Sequence, residues 1–280
     1  MVSLLNAARW LLADAQLSAS EGRLDDAADA VDGLRALTFV LASDFPTVVQ
    51  IMGYAIEGGY VHGLQGLLAA GYGDADFLER HSLTAGPEVA QRFRSMIGVE
   101  AGMLRHAMES TERDGLMGRL ALGVADLPLA VMARDGYVYY SGVLTAAEGT
   151  LAEIQSGRFD AELEHPRRRG WFPLPSLVPE YRAILIRSKA AEARQQLAKL
   201  AVRVRLEALR TGAYPEQLDD FEEASSNPLT GLGVTYRTLE DGGVELEIEG
   251  GAELVGESLA PVMRELQPIP PFVWRLPPAS

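Results

Sequence analysis

The sequence predicts a mainly α protein: a helical layer of αα-hairpins, followed by a long helix with a small antiparallel β-sheet. Three observations predict it. Apolar residues recur at helical spacing from residue 4 to about 155. A stretch rich in Pro, Arg and aromatic residues between 156 and 179 then ends regular structure. Beyond it, one long helical stripe gives way to short segments of strict alternation. The same breaks divide the chain into a helical domain (1–155), a crossover loop (156–179) and a helix-plus-sheet part (180–280).

Leu4, Leu5, Ala8, Leu11, Leu12 and Ala15 fill one face of a first helix, which Glu21-Gly22-Arg23 breaks. Leu24, Ala27, Ala28, Val31, Leu34, Leu37 and Val40 line a second, so the two read as an αα-hairpin. Ser43 or Asp44 would cap a third helix over about 46–70, with Pro46 in its first turn. That helix is apolar nearly all round and carries Gly53, Gly58, Gly59, Gly63 and Gly66, which predicts a buried centre closely approached by neighbouring backbones. A short turn at Asp76 to Ser82 and helices at about 87–109, 116–123 and 128–155 complete the layer.

The long helix at about 180–210 sets Ala190, Ala193, Leu197, Leu200, Ala201, Val204 and Ala208 on one stripe. Residues 182–210 carry a local charge of +6 and residues 215–267 one of −11, so the basic helix should dock on the acidic tail. Exposed pairs would contribute little each. In the tail, Val234 to Arg237, the turn Asp241-Gly242-Gly243 and Val244 to Ile248 predict a hairpin, to which Phe272 to Leu276 would add a third strand.

Composition excludes several classes. The net charge is −14 and the pI about 4.8, which opposes wrapping nucleic acid or lying on an anionic membrane. With no cysteine there is no disulfide framework, thiolate-held metal or thiol nucleophile. No apolar run reaches the roughly 18 residues of a membrane span, and the start lacks the basic and apolar regions of a signal peptide. Neither a Gly-x-Ser-x-Gly elbow nor a Gly-Lys-Ser/Thr phosphate loop occurs, so the sequence calls for no cofactor.

From Ala190 to Glu249 the chain resembles the periplasmic part of the type II secretion major pseudopilin. The features that carry it are the long helix, Thr211-Gly212-Ala213-Tyr214-Pro215-Glu216-Gln217-Leu218, Asn227-Pro228-Leu229-Thr230-Gly231, Tyr236 and the Gly-turn hairpin. Physically, Tyr214-Pro215 stops the helix with its ring against the sheet, and Asn227-Pro228 sets the turn into the first strand. Two features depart from that pattern: about 180 residues precede the helix, and no Asp-rich calcium loop follows the hairpin. The whole chain is similar to bacterial envelope-anchored proteins of unassigned activity, in which an Ala/Leu-rich helical region is fused to such a tail and ends in a strand like Phe272 to Pro277. The resemblance implies an extracytoplasmic setting, in periplasm or envelope, with an N-terminal anchor or signal outside this chain.

For chemistry, Glu57 and Glu100 stand out. Tyr54, Tyr60, Gly53 and Val61 surround the first at helical spacing; Ile97, Met103, Met96 and Leu104 surround the second. Burial without a cation would raise either carboxyl's pKa, as a general acid requires, and a pair meeting in a cleft would hydrolyse a glycosidic or related bond. The alternative is that each is hydrogen-bonded and fixes helix packing. His62 lies about 140° round the helix from Glu57, and a metal site would need tertiary convergence of Glu57, Glu100, His62 and His106. His165 to Phe172 combines Arg167, Arg168 and Arg169 with Trp171, the composition of an interface anchor or anion clamp, or else of a core-filling crossover. Tyr137, Tyr139 and Tyr140 would begin a helix's packed face or line a pocket with Glu57.

Two functions follow. The first is a cell-envelope interaction or scaffold module without a catalytic motif, whose partner is a protein or a cell-wall polymer. The second is a glycosidase-like hydrolase with Glu57 and Glu100 as its acid/base pair. Oligomeric state is left open by both.

Overall fold

The structure, a computed structural model, describes residues 2–40, 47–82, 89–113, 129–164, 181–258 and 272–279. Among them are nine helices and one three-stranded sheet. In chain order the helices are α1 (Val2–Ser20), α2 (Leu24–Val40), α3 (Thr47–Ala69), α4 (Ala75–Ser82), α5 (Val89–Arg113), α6 (Leu129–Glu148), α7 (Leu151–Gln155), α8 (Tyr181–Thr211) and α9 (Gly251–Ser258). The strands are β1 (Thr235–Thr238), β2 (Val244–Glu247) and β3 (Val273–Leu276). The sequence-based helix at 116–123 lies outside the described residues.

α1 and α2 form the expected αα-hairpin. Gly22 takes φ +75° in the turn, a conformation that glycine adopts without strain, and Arg23 N–H closes back on Ser18 O. α3 is the central helix of the layer, packing against α1, α2, α5, α8 and β3. Its glycines act less broadly than expected. A Cβ at Gly63 would stand 3.3 Å from Leu34 and Val31 side chains, whereas Gly58 and Gly66 have nothing within 4 Å. Gly63 thus seats side chains of α2, not a neighbouring backbone.

The single helix expected over 128–155 is two. α6 stops at Glu148, and Thr150 caps α7: its hydroxyl accepts from Glu153 N–H while the Glu153 carboxylate accepts from Thr150 N–H. That reciprocal pair is a capping box, and its Thr-x-x-Glu signature was present in the sequence. The first two N–H groups of α7 donate to Pro228 O and Leu229 O. The Asn227-Pro228 turn is therefore the support under α7. Buried Asn227 holds that turn by accepting from Leu229 and Thr230 N–H and donating to Leu232 O.

Strand order is β1-β2-β3, antiparallel throughout. Tyr236, Leu246 and Trp274 lie in register on the inner face, as do Val244 and Leu276. Arg237, Glu245 and Arg275 form the outer row, and the two guanidinium groups cover the Glu245 carboxylate. Glu245 is thus hidden by its partners rather than by the core. α8 ends before the expected stop at Tyr214-Pro215: Gly212 takes φ +80° and its N–H donates to Ala208 O, while the Tyr214 hydroxyl donates to Pro277 O at 2.6 Å.

α8 carries more than the predicted stripe. Every stripe residue is buried, and so are Leu185, Lys189, Ala198, Val202 and Arg205 on its other sides. It joins two cores: one holds α1 to α4, α8 and the sheet, the other α3, α5, α6, α7 and the start of α8. The expected docking of basic helix on acidic sheet is met at one acid outside the sheet. Lys199 and Arg203 both pair with Glu223, in the 3-10 turn Glu222–Ala224, while Arg210 reaches Glu79 and Arg182 reaches Asp160.

Candidate functional site

Glu57 sits on the face of α3 that meets α5 and α8, and is buried as the spacing implied. It is not without a cation. Arg92 of α5, itself buried, donates from Nη2 to Glu57 Oε2, and its guanidinium carbon lies 5.7 Å from the Tyr54 ring centroid. Burial pushes the Glu57 carboxyl above its ordinary value, while the charge and hydrogen bond of Arg92 pull it back. Burial raises the Tyr54 hydroxyl to about 12, against the opposing effects of Ser188 of α8 and of Arg92. Buried Lys189 reaches Glu192 at 3.3 Å. The result is a polar seam sealed between three helices, with Arg92 Nε lacking a hydrogen-bond partner among the described residues.

Glu100 lies elsewhere. It is half-buried, eight residues beyond Arg92 on α5, or about 12 Å along the axis. Its charge acts on Tyr140, whose phenol is raised first by burial and then by Glu100. Tyr139, Tyr140 and Tyr181 pack together, with ring centroids 5.9–6.2 Å apart, in the core that α5 and α6 share with α8. Of the three tyrosines expected on a helix's packed face, Tyr139 and Tyr140 face inward from within α6, whereas Tyr137 is exposed. α6 comes this close to α5 because Gly136 is bare; a Cβ there would stand 2.5 Å from Leu104 Cδ2.

The other residues singled out do not gather round Glu57. His62, His106 and Tyr137 are exposed on α3, α5 and α6. Arg167, Arg168 and Trp171 lie outside the described residues. Among the described residues no three His, Asp or Glu side chains come together as metal ligands.

No known family model, curated protein or solved structure matches this chain.

Two constellations escaped the sequence reading. In the first, the His81 ring of α4 is fully buried, with Phe77 stacked on it at 4.0 Å. Its Nε2 lies 2.8 Å from Asp32 Oδ1 and its Nδ1 2.8 Å from the Tyr60 hydroxyl. An ionised Asp32 only accepts, so Nε2 carries the proton and Nδ1 accepts from Tyr60. The order Tyr–His–Asp is that of a nucleophile relay, but the Tyr60 end is sealed and Asp32 is the exposed end, so it ties α2, α3 and α4 together instead. The spacing of Phe77, Leu78 and His81 on one face of α4 was the available signal; its partners, 21 and 49 residues away, had none.

In the second, buried Arg205 of α8 donates to Tyr214 Oη at 3.0 Å, Pro278 O at 2.9 Å and Gly71 O at 3.4 Å. These are neutral acceptors from the tail and the α3–α4 turn. The guanidinium anchors the chain's last described residues against the helical layer.

Proposed function

We propose that this chain is an interaction or scaffold module of the cell envelope, with a protein as its partner. One observation carries the reading: all six buried acidic or basic side chains among the described residues are engaged by partners from other turns, helices or strands. Glu57 and Arg92 hold each other, His81 is bonded at both nitrogens, Lys189 meets Glu192, Arg205 is spread over carbonyls, and Glu245 lies between two arginines. A catalytic acid or base must instead reach substrate and change protonation there. Large apolar side chains stand in solvent, Trp10 at 78% and Leu17 at 54% exposure. The envelope setting rests on the resemblance of the tail to a pseudopilin.

Fractionation of native cells, with a photo-crosslinking amino acid in place of Trp10 of the full-length protein, tests this. The reading expects recovery with the envelope and a discrete protein adduct. Recovery in the cytosol without an adduct would overturn it.

A further inference from the structure

We propose that the outer edge of β1 is a docking site for an extended, lysine- or arginine-rich segment of a partner protein, which adds to the sheet as a fourth strand. The proposal rests on the interaction-module reading and gives the partner its chemistry.

The sheet has two edges, and among the described residues a bond from another element reaches only the β3 edge. Along β3, Gln65 of α3 donates to Val273 O at 2.7 Å, so the central helix covers that side. Along β1, the hairpin closes with Leu239 N–H on Gly243 O, which sets the hydrogen-bonded positions of the ladder. Arg237 opposite Glu245 and Thr235 opposite Glu247 share that phase. The main-chain groups of Tyr236 and Thr238, at the alternate positions, therefore point away from β2. Neither makes another backbone bond among the described residues. Cover by the 3-10 turn ends just before, where Val234 N–H donates to Ala224 O.

Edge strands are commonly guarded by an outward charge, and Arg237 is the natural guard here. It is turned back over β2 instead, onto Glu245 and Glu247. What surrounds the open edge is acid. Glu240 and Asp241 are exposed in the turn beyond Thr238, and Glu249 accepts from Thr235 Oγ1 at 3.1 Å. Glu216 follows Pro215, whose carbonyl accepts from the Tyr236 hydroxyl at 2.7 Å. Exposed Leu232 lies just upstream. An added strand would gain main-chain bonds at Tyr236 and Thr238, with basic side chains against these carboxylates. A second copy suits the edge badly: with Tyr236 opposite Thr238 of the copy, Arg237 would face Arg237 and two tails of charge −11 would meet.

The test uses the full chain and a fluorescein-labelled hexapeptide, acetyl-Thr-Lys-Val-Lys-Val-Lys-amide, beside its counterpart with Glu at each Lys. Thr238→Pro removes an outward N–H and no ladder bond, at an edge where proline is tolerated. Glu240→Lys with Asp241→Lys reverses the charge and leaves the edge intact. The expected result is binding of the lysine peptide with slowed hydrogen exchange at Thr238, weakened about tenfold by either change at unaltered melting temperature. No binding up to about 1 mM, equal binding of both peptides, or full binding to Thr238→Pro would overturn the proposal. Concentration-dependent dimers abolished by Thr238→Pro would assign the edge to a second copy and overturn it too. The adduct at position 10 reads a different surface, so failure of the edge is distinguishable from failure of the module reading.

Discussion

His81 stays neutral because a charge there would be desolvated on all sides. Burial lowers its pKa to about 4; Asp32 opposes that shift, and Arg35 and Arg80 add to it. Of the groups packed against the ring, Tyr60 donates only to the neutral form. The folded pKa lies below the unfolded value near 6.5, so the unfolded chain binds the extra proton first. Stability from this group is full above about pH 6.5 and is lost as pH falls toward 4. Urea unfolding over that range should lose about 3 kcal/mol in the wild type, and His81→Gln should flatten the slope. Glu223 and Glu245 act lower down. Burial raises Glu223 but Lys199 and Arg203 outweigh it, while Arg275 and then Arg237 lower Glu245, so their contributions vanish only as pH falls below the usual carboxylate range.

Helices end where local chemistry ends them. Thr150→Ala removes one half of the capping box and should lower stability by about 1 kcal/mol, read by thermal melting. Gly136→Ala forces a methyl into Leu104 and should lower it by about 1–3 kcal/mol through overpacking at the α5–α6 crossing. Helical spacing located α1 to α5 and α8, and alternation located all three strands, because each buries a face in one of the two cores. The break between α6 and α7 escaped that reading: apolar residues continue through it, and only Gly149, Thr150 and Glu153 mark it.

α8 holds the whole molecule together because it enters both cores, and its stripe alone did not reveal this. The sequence shows which face of a helix is apolar; it does not show how many neighbours converge on it. Leu200 and Leu197 are fully enclosed, and Leu200→Ala should destabilise the protein by about 2–5 kcal/mol in a single unfolding transition. The candidate carboxylates show the same limit. The apolar neighbours of Glu57 correctly implied burial, but its cation stands 35 residues away on another helix, and helix rotation decided the pairing. His81 and Arg205 were likewise visible as residues and invisible as contacts.

The central claim is that buried charge here serves structure, and a double-mutant cycle on Glu57 and Arg92 tests it most directly by urea unfolding at pH 7. Glu57→Gln leaves Arg92 buried and unpaired, so a loss of about 3–5 kcal/mol is predicted, with the Glu57→Gln/Arg92→Met double variant recovering most of it. If Glu57→Gln leaves stability unchanged or raises it, the carboxylate is held under strain for another purpose, and the scaffold account is contradicted.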